Sequence, residues 1–469
     1  MLYFSTRDKQ KTFSFEEVFL NALASDGGLY IPTIIPKFSK EKIESMKHLT
    51  FQEMSYEIFN VFVGNAFSSN ELKEIINKSY AVFRNKKIID LKLIDNISCV
   101  ELFHGPTLAF KDIAMQVLGN MYEHLLNKSK NKMNLITATS GDTGAAAIDA
   151  LKSKKYLNVF VLHPENKVSE TQRRLMTSIL DKNVYNVAIK GTFDDCQHLV
   201  KEMFNDQKFR SSIQMSGVNS INWARIVAQI VYYFFIYLKQ EGMKKKMVVS
   251  VPTGNFGDIY AGYVAKQMGL PIEKLIIASN HNNLLEKCLS TGLYQPSKVN
   301  PSVSPSMDIQ VASNFERILF EICNQDESRV VELMNDLKIK KEFQLNKSEI
   351  SKLQENFLAC SVSEEETLET IKNIYQEYNS VIDPHSAIGF KALKKMDNFI
   401  ESCSYFCFET AHPCKFPDAI VNAIGKEPPM PDFVKKILSK EEKFIVLENK
   451  IEILKNYIQK EINNNSSCQ

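Results

Sequence analysis

Four stretches of the chain place reactive side chains where a fold could use them. Lys111 lies in Phe103-His104-Gly105-Pro106-Thr107-Leu108-Ala109-Phe110-Lys111-Asp112, just after an apolar run and among apolar neighbours. Burial there favours the neutral amine, which is a nucleophile and a base. By composition alone it reads as well as one more surface lysine. Val251-Pro252-Thr253-Gly254-Asn255-Phe256-Gly257-Asp258 leaves a second apolar run and opens a helical pattern. Its two glycines allow close backbone approach, and the N–H groups at a helix start attract an oxyanion. A plain strand-to-helix turn fits this stretch too, and the Gly-Lys-Ser/Thr ending of a nucleotide-binding loop is missing. Thr139-Ser140-Gly141-Asp142-Thr143-Gly144 has the same setting and offers two hydroxyls, with turn and site again both open. Asn219-Ser220-Ile221-Asn222-Trp223-Ala224-Arg225 precedes the most apolar stretch of the chain. Only eight of the 57 lysine and arginine residues are arginine, and a fork-shaped guanidinium at Arg225 suits either a phosphate or carboxylate clamp or a structural ion pair.

Those stretches need a scaffold that brings them to strand ends. Short apolar runs at 97–103, 135–139, 159–162, 187–189, 247–251 and 275–278 are rich in β-branched or aromatic residues. Helical periods separate most of them, a rhythm that predicts crossover units and mostly parallel sheets. Ligands bind beyond the carboxyl ends of such strands, which selects the exits at 139–144, 253–258 and 409–413. Before residue 90 the pattern is helical. Ser14 and Glu17 form a capping box ahead of Phe15, Val18, Phe19, Ala22 and Leu23, and Gly27-Gly28 stops that helix.

Composition narrows the function further. With 469 residues the chain has room for two or three cores. A net charge of +2 gives no field to gather nucleic acid or anionic lipid. Nine cysteines without framework spacing suit reduced thiols. Cys403, Cys407, His412 and Cys414 raise a zinc site, yet the first two fall in an apolar strand whose alternate side chains point apart, so packing is the expected role and no metal is expected. No secretory signal is read in the first twelve residues, and a helix over 226–238 reaches only about 20 Å against a hydrocarbon core of about 30 Å. A cytoplasmic enzyme with no nucleic-acid or membrane partner is expected.

Taken in order, these segments resemble the threonine synthases. Phe-His-Gly-Pro-Thr-x-x-Phe-Lys-Asp, Thr-Ser-Gly-Asp-Thr-Gly, Asn-Ser-x-Asn-x-x-Arg, Pro-Thr-Gly-Asn-Phe-Gly-Asp and Glu-Thr-Ala-His-Pro follow one another as in that family. Ser5-Thr6-Arg7, Asp26-Gly27-Gly28-Leu29-Tyr30-Ile31-Pro32 and Ser304-Pro305-Ser306-Met307-Asp308-Ile309 match as well, so the likeness runs to about Asn456. It implies an α/β protein of the second, tryptophan-synthase-β-like fold type of pyridoxal-phosphate enzymes. Two mostly parallel-sheet domains with flanking helices would join a helical N-terminal domain at 1–92. The small domain would span 115–225, and the large cofactor-binding domain 93–114 with 226–469.

The resemblance also implies roles. Lys111 would bond to pyridoxal 5'-phosphate as the internal Schiff base and act in catalysis. Thr253, Gly254, Asn255, Phe256, Gly257 and Asp258 would cradle the cofactor phosphate, and Thr410 would meet the pyridine nitrogen. Asp142 stands where many relatives of the fold place an asparagine against the ring oxygen. Ser140, Gly141 and Thr143 would bind the substrate carboxylate; Asn219, Ser220 and Arg225 would hold the substrate phosphate, supported by Asn222. The implied reaction converts O-phospho-L-homoserine and water to L-threonine and phosphate, the last step of threonine biosynthesis. Its competitors are a phospho-lyase releasing 2-oxobutyrate from the same substrate, a serine or threonine dehydratase, and an inactive binding protein on the same scaffold.

Overall fold

The computed structural model describes residues 1–218, 220–240, 245–396 and 403–467, the side chains of 465–467 excepted. The chain divides into two compact units: Met1–Asn77, Phe83–His104 and Ser220–Pro428 form the first, and Lys78–Val82, Gly105–Asn219 and Pro429–Gln469 the second.

The first unit is built on a six-stranded sheet in the order Phe357–Ser361, Ile272–Ser279, Met247–Pro252, Ser404–Glu409, Ile97–Glu101, Asp90–Ile94. All neighbours run parallel except the last pair. Its central strands are buried on both faces, which is why they read as continuous apolar runs. On one face Cys99, Val248, Ile276 and Cys407 pack with Ala387, Ile388 and Leu393 of the helix Pro384–Lys395. On the other, the Phe408 ring meets Tyr232 and Tyr233 edge-on. Those tyrosines belong to the helix Trp223–Lys239, apolar nearly all round and buried along almost its whole length, as a core helix must be.

The N-terminal part contributes the predicted capping box at Ser14 and Glu17 and the helices Phe15–Asn21, Lys40–Ser45, Phe51–Val63 and Ser69–Tyr80. It also carries a three-stranded antiparallel sheet of Asp8–Phe13, Tyr3–Ser5 and Tyr30–Pro32, which the helical reading passed over. Two of these strands have only three residues, and Asp8–Phe13 is polar and mostly exposed, so no apolar alternation announces them.

The second unit holds a five-stranded, wholly parallel sheet ordered Ile445–Glu448, Val184–Lys190, Leu157–Pro164, Met133–Ala138, Met215–Ser216. Ile136, Phe160, Leu162 and Val187 form a core with Leu199 and Met203 of the helix Phe193–Asn205 and with Leu454 and Ile458 of the helix Ile451–Ser467. The tail thus belongs to this unit, where the sequence reading grouped it with the larger domain. Among the described residues no helix is long and apolar enough to cross a membrane.

Candidate active site

In the second unit, Lys111 is the first residue of the helix Lys111–Ser129 and is 6% exposed. Asp112 fixes the preceding turn: its carboxylate accepts from the Thr107 amide at 2.8 Å and the Thr107 hydroxyl at 2.6 Å. Lys111 Nζ donates to Asp142 Oδ2 at 3.3 Å and lies 5.0 Å from the centre of the Phe110 ring. Asp142 is itself buried, opens the helix Asp142–Leu151, and receives a second hydrogen bond from Gln172 Nε2 at 2.9 Å. A carboxylate at a helix N-terminus is well placed electrostatically, so this one is held ready beside the amine.

The loop before Asp142 is shaped by Thr139, whose Oγ1 accepts from the Gly141 and Gly144 amides, both at 2.9 Å. Gly141 has φ +133°, and a Cβ there would lie 2.6 Å from Gln172 Cδ, so only glycine fits. Ser140 and Thr143 are half-buried beside it. Sequence reading named this loop but missed that Thr139 organises it. The Thr-x-Gly spacing of a hydroxyl-capped turn was the available signal.

In the first unit, residues 253–258 follow the strand Met247–Pro252 and lead into the helix Gly257–Gln267. Thr253 Oγ1 donates to the Val251 carbonyl at 2.6 Å, and Asn255 Oδ1 accepts from the Gly257 amide at 2.9 Å. A Cβ on Gly254 would lie 2.5 Å from the Ser306 carbonyl oxygen. Phe256 takes φ +65°, a conformation costly for a phenylalanine, and is held in it by packing on Phe315 and Phe357. The Asp258 carboxylate accepts from the hydroxyls of Tyr232 at 2.5 Å and Tyr233 at 3.1 Å. Burial first, and then this carboxylate, push both phenols well above their usual range. Asp258 therefore ties the turn to the buried helix.

Arg225 is the third residue of the helix Trp223–Lys239 and is 2% exposed. Burial pushes its guanidinium down to about 10, with Tyr232 opposing. The positive end of its own helix also acts against its charge. Asn222 caps that helix by accepting from the Ala224 amide at 3.0 Å and donates to the Phe19 carbonyl at 2.9 Å. Ser220 Oγ lies 3.1 Å from Ser313 Oγ and 3.3 Å from Asn314 Nδ2. Asn219 lies outside the described residues.

Thr410, 6% exposed, follows the strand Ser404–Glu409. Burial pushes its neighbour Glu409 up to about 8, and pushes His412 down to about 4, which keeps that imidazole neutral. Cys403, Cys407 and Cys414 are buried and form no disulfide, and Cys403 and Cys407 belong to the apolar core.

Known proteins match this chain along its whole length. Residues 2–80 match the family described as threonine synthase N terminus, 95–403 the pyridoxal-phosphate dependent enzymes, and 386–458 the threonine synthase C-terminal family. A threonine synthase of Pseudomonas aeruginosa is 42% identical over 453 residues, covering 96% of both chains. The chain belongs to the threonine synthase family. A threonine synthase of Saccharomyces cerevisiae is 40% identical and covers 98% of each chain. The crystal structure of pyridoxal-phosphate-bound threonine synthase from Brucella melitensis superposes with a TM-score of 0.94 at 41% identity, covering 98% of this chain and 99% of that one. Like the family, the chain is a pyridoxal-phosphate-dependent lyase of the second fold type. Its residues suit that cofactor: a buried amine on a helix's first turn for the aldehyde, a tightly shaped turn at a helix N-terminus for the phosphate, and a buried hydroxyl, Thr410, at a strand exit.

Proposed function

We propose that the chain converts O-phospho-L-homoserine and water to L-threonine and phosphate in the cytoplasm. The observation that carries this reading is the buried Lys111 amine hydrogen-bonded to the buried Asp142 carboxylate at the start of the helix Asp142–Leu151. Bound pyridoxal phosphate would supply an electron sink that makes the proton on the substrate's amine-bearing carbon, and then those on the carbon beside it, removable.

The rest falls to the chain's own groups. Lys111 Nζ would hold the cofactor's aldehyde carbon and, once the substrate amine displaces it, take and return protons. Asp142 Oδ2 keeps that nitrogen oriented. Thr253, Gly254, Asn255, Phe256, Gly257 and the Asp258 backbone would hold the cofactor phosphate, and the Thr410 hydroxyl would face its ring nitrogen. Thr410 is a neutral partner and would not hold a full positive charge on that nitrogen. Ser140, Gly141 and Thr143 would take the substrate carboxylate. Arg225 with Ser220 and Asn219, on the footing set by Asn222, would take the substrate phosphate until it leaves, the guanidinium matching its charge and geometry. The second unit would carry the carboxylate loop.

The test is product identification. Purified protein incubated with O-phosphohomoserine should release free phosphate and L-threonine in equal amounts. Phosphate accompanied by 2-oxobutyrate, or no phosphate at all, would overturn the reading.

A further inference from the structure

Arg317 is a buried cation that none of the motifs contains. It lies on the helix Phe315–Ile322 with no exposed surface, and burial pushes it down to about 10. Its Nε and Nη2 donate to the Tyr30 carbonyl at 3.1 and 3.0 Å, Nη2 also donates to the Ile221 carbonyl at 2.6 Å, and Nη1 donates to Asn314 Oδ1. Asn314, equally buried, passes the connection on. Its backbone N–H and its Nδ2 donate to the Asn255 carbonyl at 3.0 and 3.2 Å, and Nδ2 also reaches Ser220 Oγ at 3.3 Å. One guanidinium therefore holds both the 253–258 turn and the segment leading into Arg225.

The choice of residue is informative. A buried charge is expensive, and an apolar side chain of similar volume would fill the same space at less cost. What arginine adds is a rigid, coplanar fork that fixes three acceptors relative to one another, which the single ammonium of a lysine does not. Two of those acceptors, on Tyr30 and Ile221, belong to segments distant in sequence, the second in a turn assigned above to an oxyanion; the third, Asn314, is the N-cap of Arg317's own helix and carries the connection on to Asn255 in the other such turn.

We propose that Arg317 and Asn314 are positioning residues that set the spacing of the two oxyanion-binding turns, so that cofactor retention and substrate affinity depend on the same pair. This rests on the assignment of 253–258 to the cofactor phosphate and of 219–225 to the substrate phosphate.

The holoenzyme of Asn314→Ala and of Arg317→Lys tests it. In each, the cofactor should be lost on dilution at a concentration about tenfold higher than in the wild type, read from visible absorbance, and KM for O-phosphohomoserine should rise about tenfold, the equivalent of one lost hydrogen bond each. Turnover at saturation should stay within about threefold, since the pair touches no reacting atom. Trp223 is the only tryptophan and its ring lies 5.5 Å from the Arg317 guanidinium, so its emission should shift in Arg317→Lys and return towards the wild-type value as inorganic phosphate is added. A fall in thermal midpoint with KM and cofactor retention unchanged would overturn the proposal. If Arg317→Lys fails to fold, Asn314→Ala decides alone. Arg225→Gln separates the two levels. Should it leave KM unchanged, the assignment of the turns is wrong; should it raise KM while the pair's variants do not, only the present inference fails.

Discussion

Glu409 stands in register with Glu101 on the adjacent parallel strand, so two carboxyl groups share one face of the sheet at its carboxyl end. Glu101 is partly exposed and lies 2.9 Å from His104 Nε2, whereas Glu409 is buried. Burial, then the charges of Glu101 and Asp383, push Glu409 up to about 8, against weaker opposition from Lys92 and Cys99. The sign follows directly. A carboxyl that keeps its proton more firmly when folded contributes stability that is fully present below about pH 4.5 and is lost as the pH rises through about 8. Glu409→Gln should therefore gain on the wild type by a few kcal/mol between pH 4.5 and 9. Denaturant unfolding of both proteins across that range checks it, and a difference that stays flat would show that Glu409 is ionised throughout.

Lys111→Ala removes the amine that Asp142 holds. Turnover should fall by at least about a thousandfold, the scale expected when a positioned base is lost. The visible absorbance of the bound cofactor should disappear with it. Full absorbance in the variant would place the covalent link elsewhere.

Gly254→Ala puts a methyl group 2.5 Å from the Ser306 carbonyl oxygen, a backbone atom that cannot swing aside. Ser306 is in turn anchored, its amide donating to His385 Nε2 at 3.2 Å. The turn must open, at a cost of about 1–3 kcal/mol. Equilibrium dialysis should show weaker cofactor retention, while the spectrum of whatever cofactor remains should be unaltered.

Asp383 is the N-cap of the helix Pro384–Lys395, accepts from the His385 amide at 3.0 Å and from His385 Nδ1 at 2.7 Å, and is wholly buried. Asp383→Ala removes the cap and the partner that keeps the proton of His385 on Nδ1, leaving Nε2 to accept from Ser306. A loss of about 2–4 kcal/mol is expected, a cap plus a buried polar group left unmatched. Asp383→Asn should recover part of it. Thermal unfolding of the two variants side by side measures the recovery.

Much of this was legible in the chain itself. The six apolar runs became parallel strands because a strand covered on both faces has to be apolar throughout, and Ser14 with Glu17 marked a helix start by a purely local bond pattern. The turns at 139–144 and 253–258 were legible because such turns need glycine, hydroxyl and amide side chains in fixed local spacing. What stayed hidden depends on distance. Arg317 meets partners 96 and 287 positions away, and Asn314 reaches back 59, with no local pattern to announce either. The N-terminal sheet hid for a different reason: the strand Asp8–Phe13 buries too little to leave an apolar imprint. Asp258 was read as part of a phosphate cradle, yet its carboxylate faces Tyr232 and Tyr233, which only the packing of two helices could reveal.

The pairing of Ile445–Glu448 with Val184–Lys190 also orders events during synthesis. The strand at 184–190 leaves the ribosome some 250 residues before its outer neighbour is made, so the growing chain carries an open, largely apolar sheet edge over that interval. Until the helix Ile451–Ser467 docks, the nascent second unit exposes the kind of unpaired edge that makes incomplete states prone to aggregate.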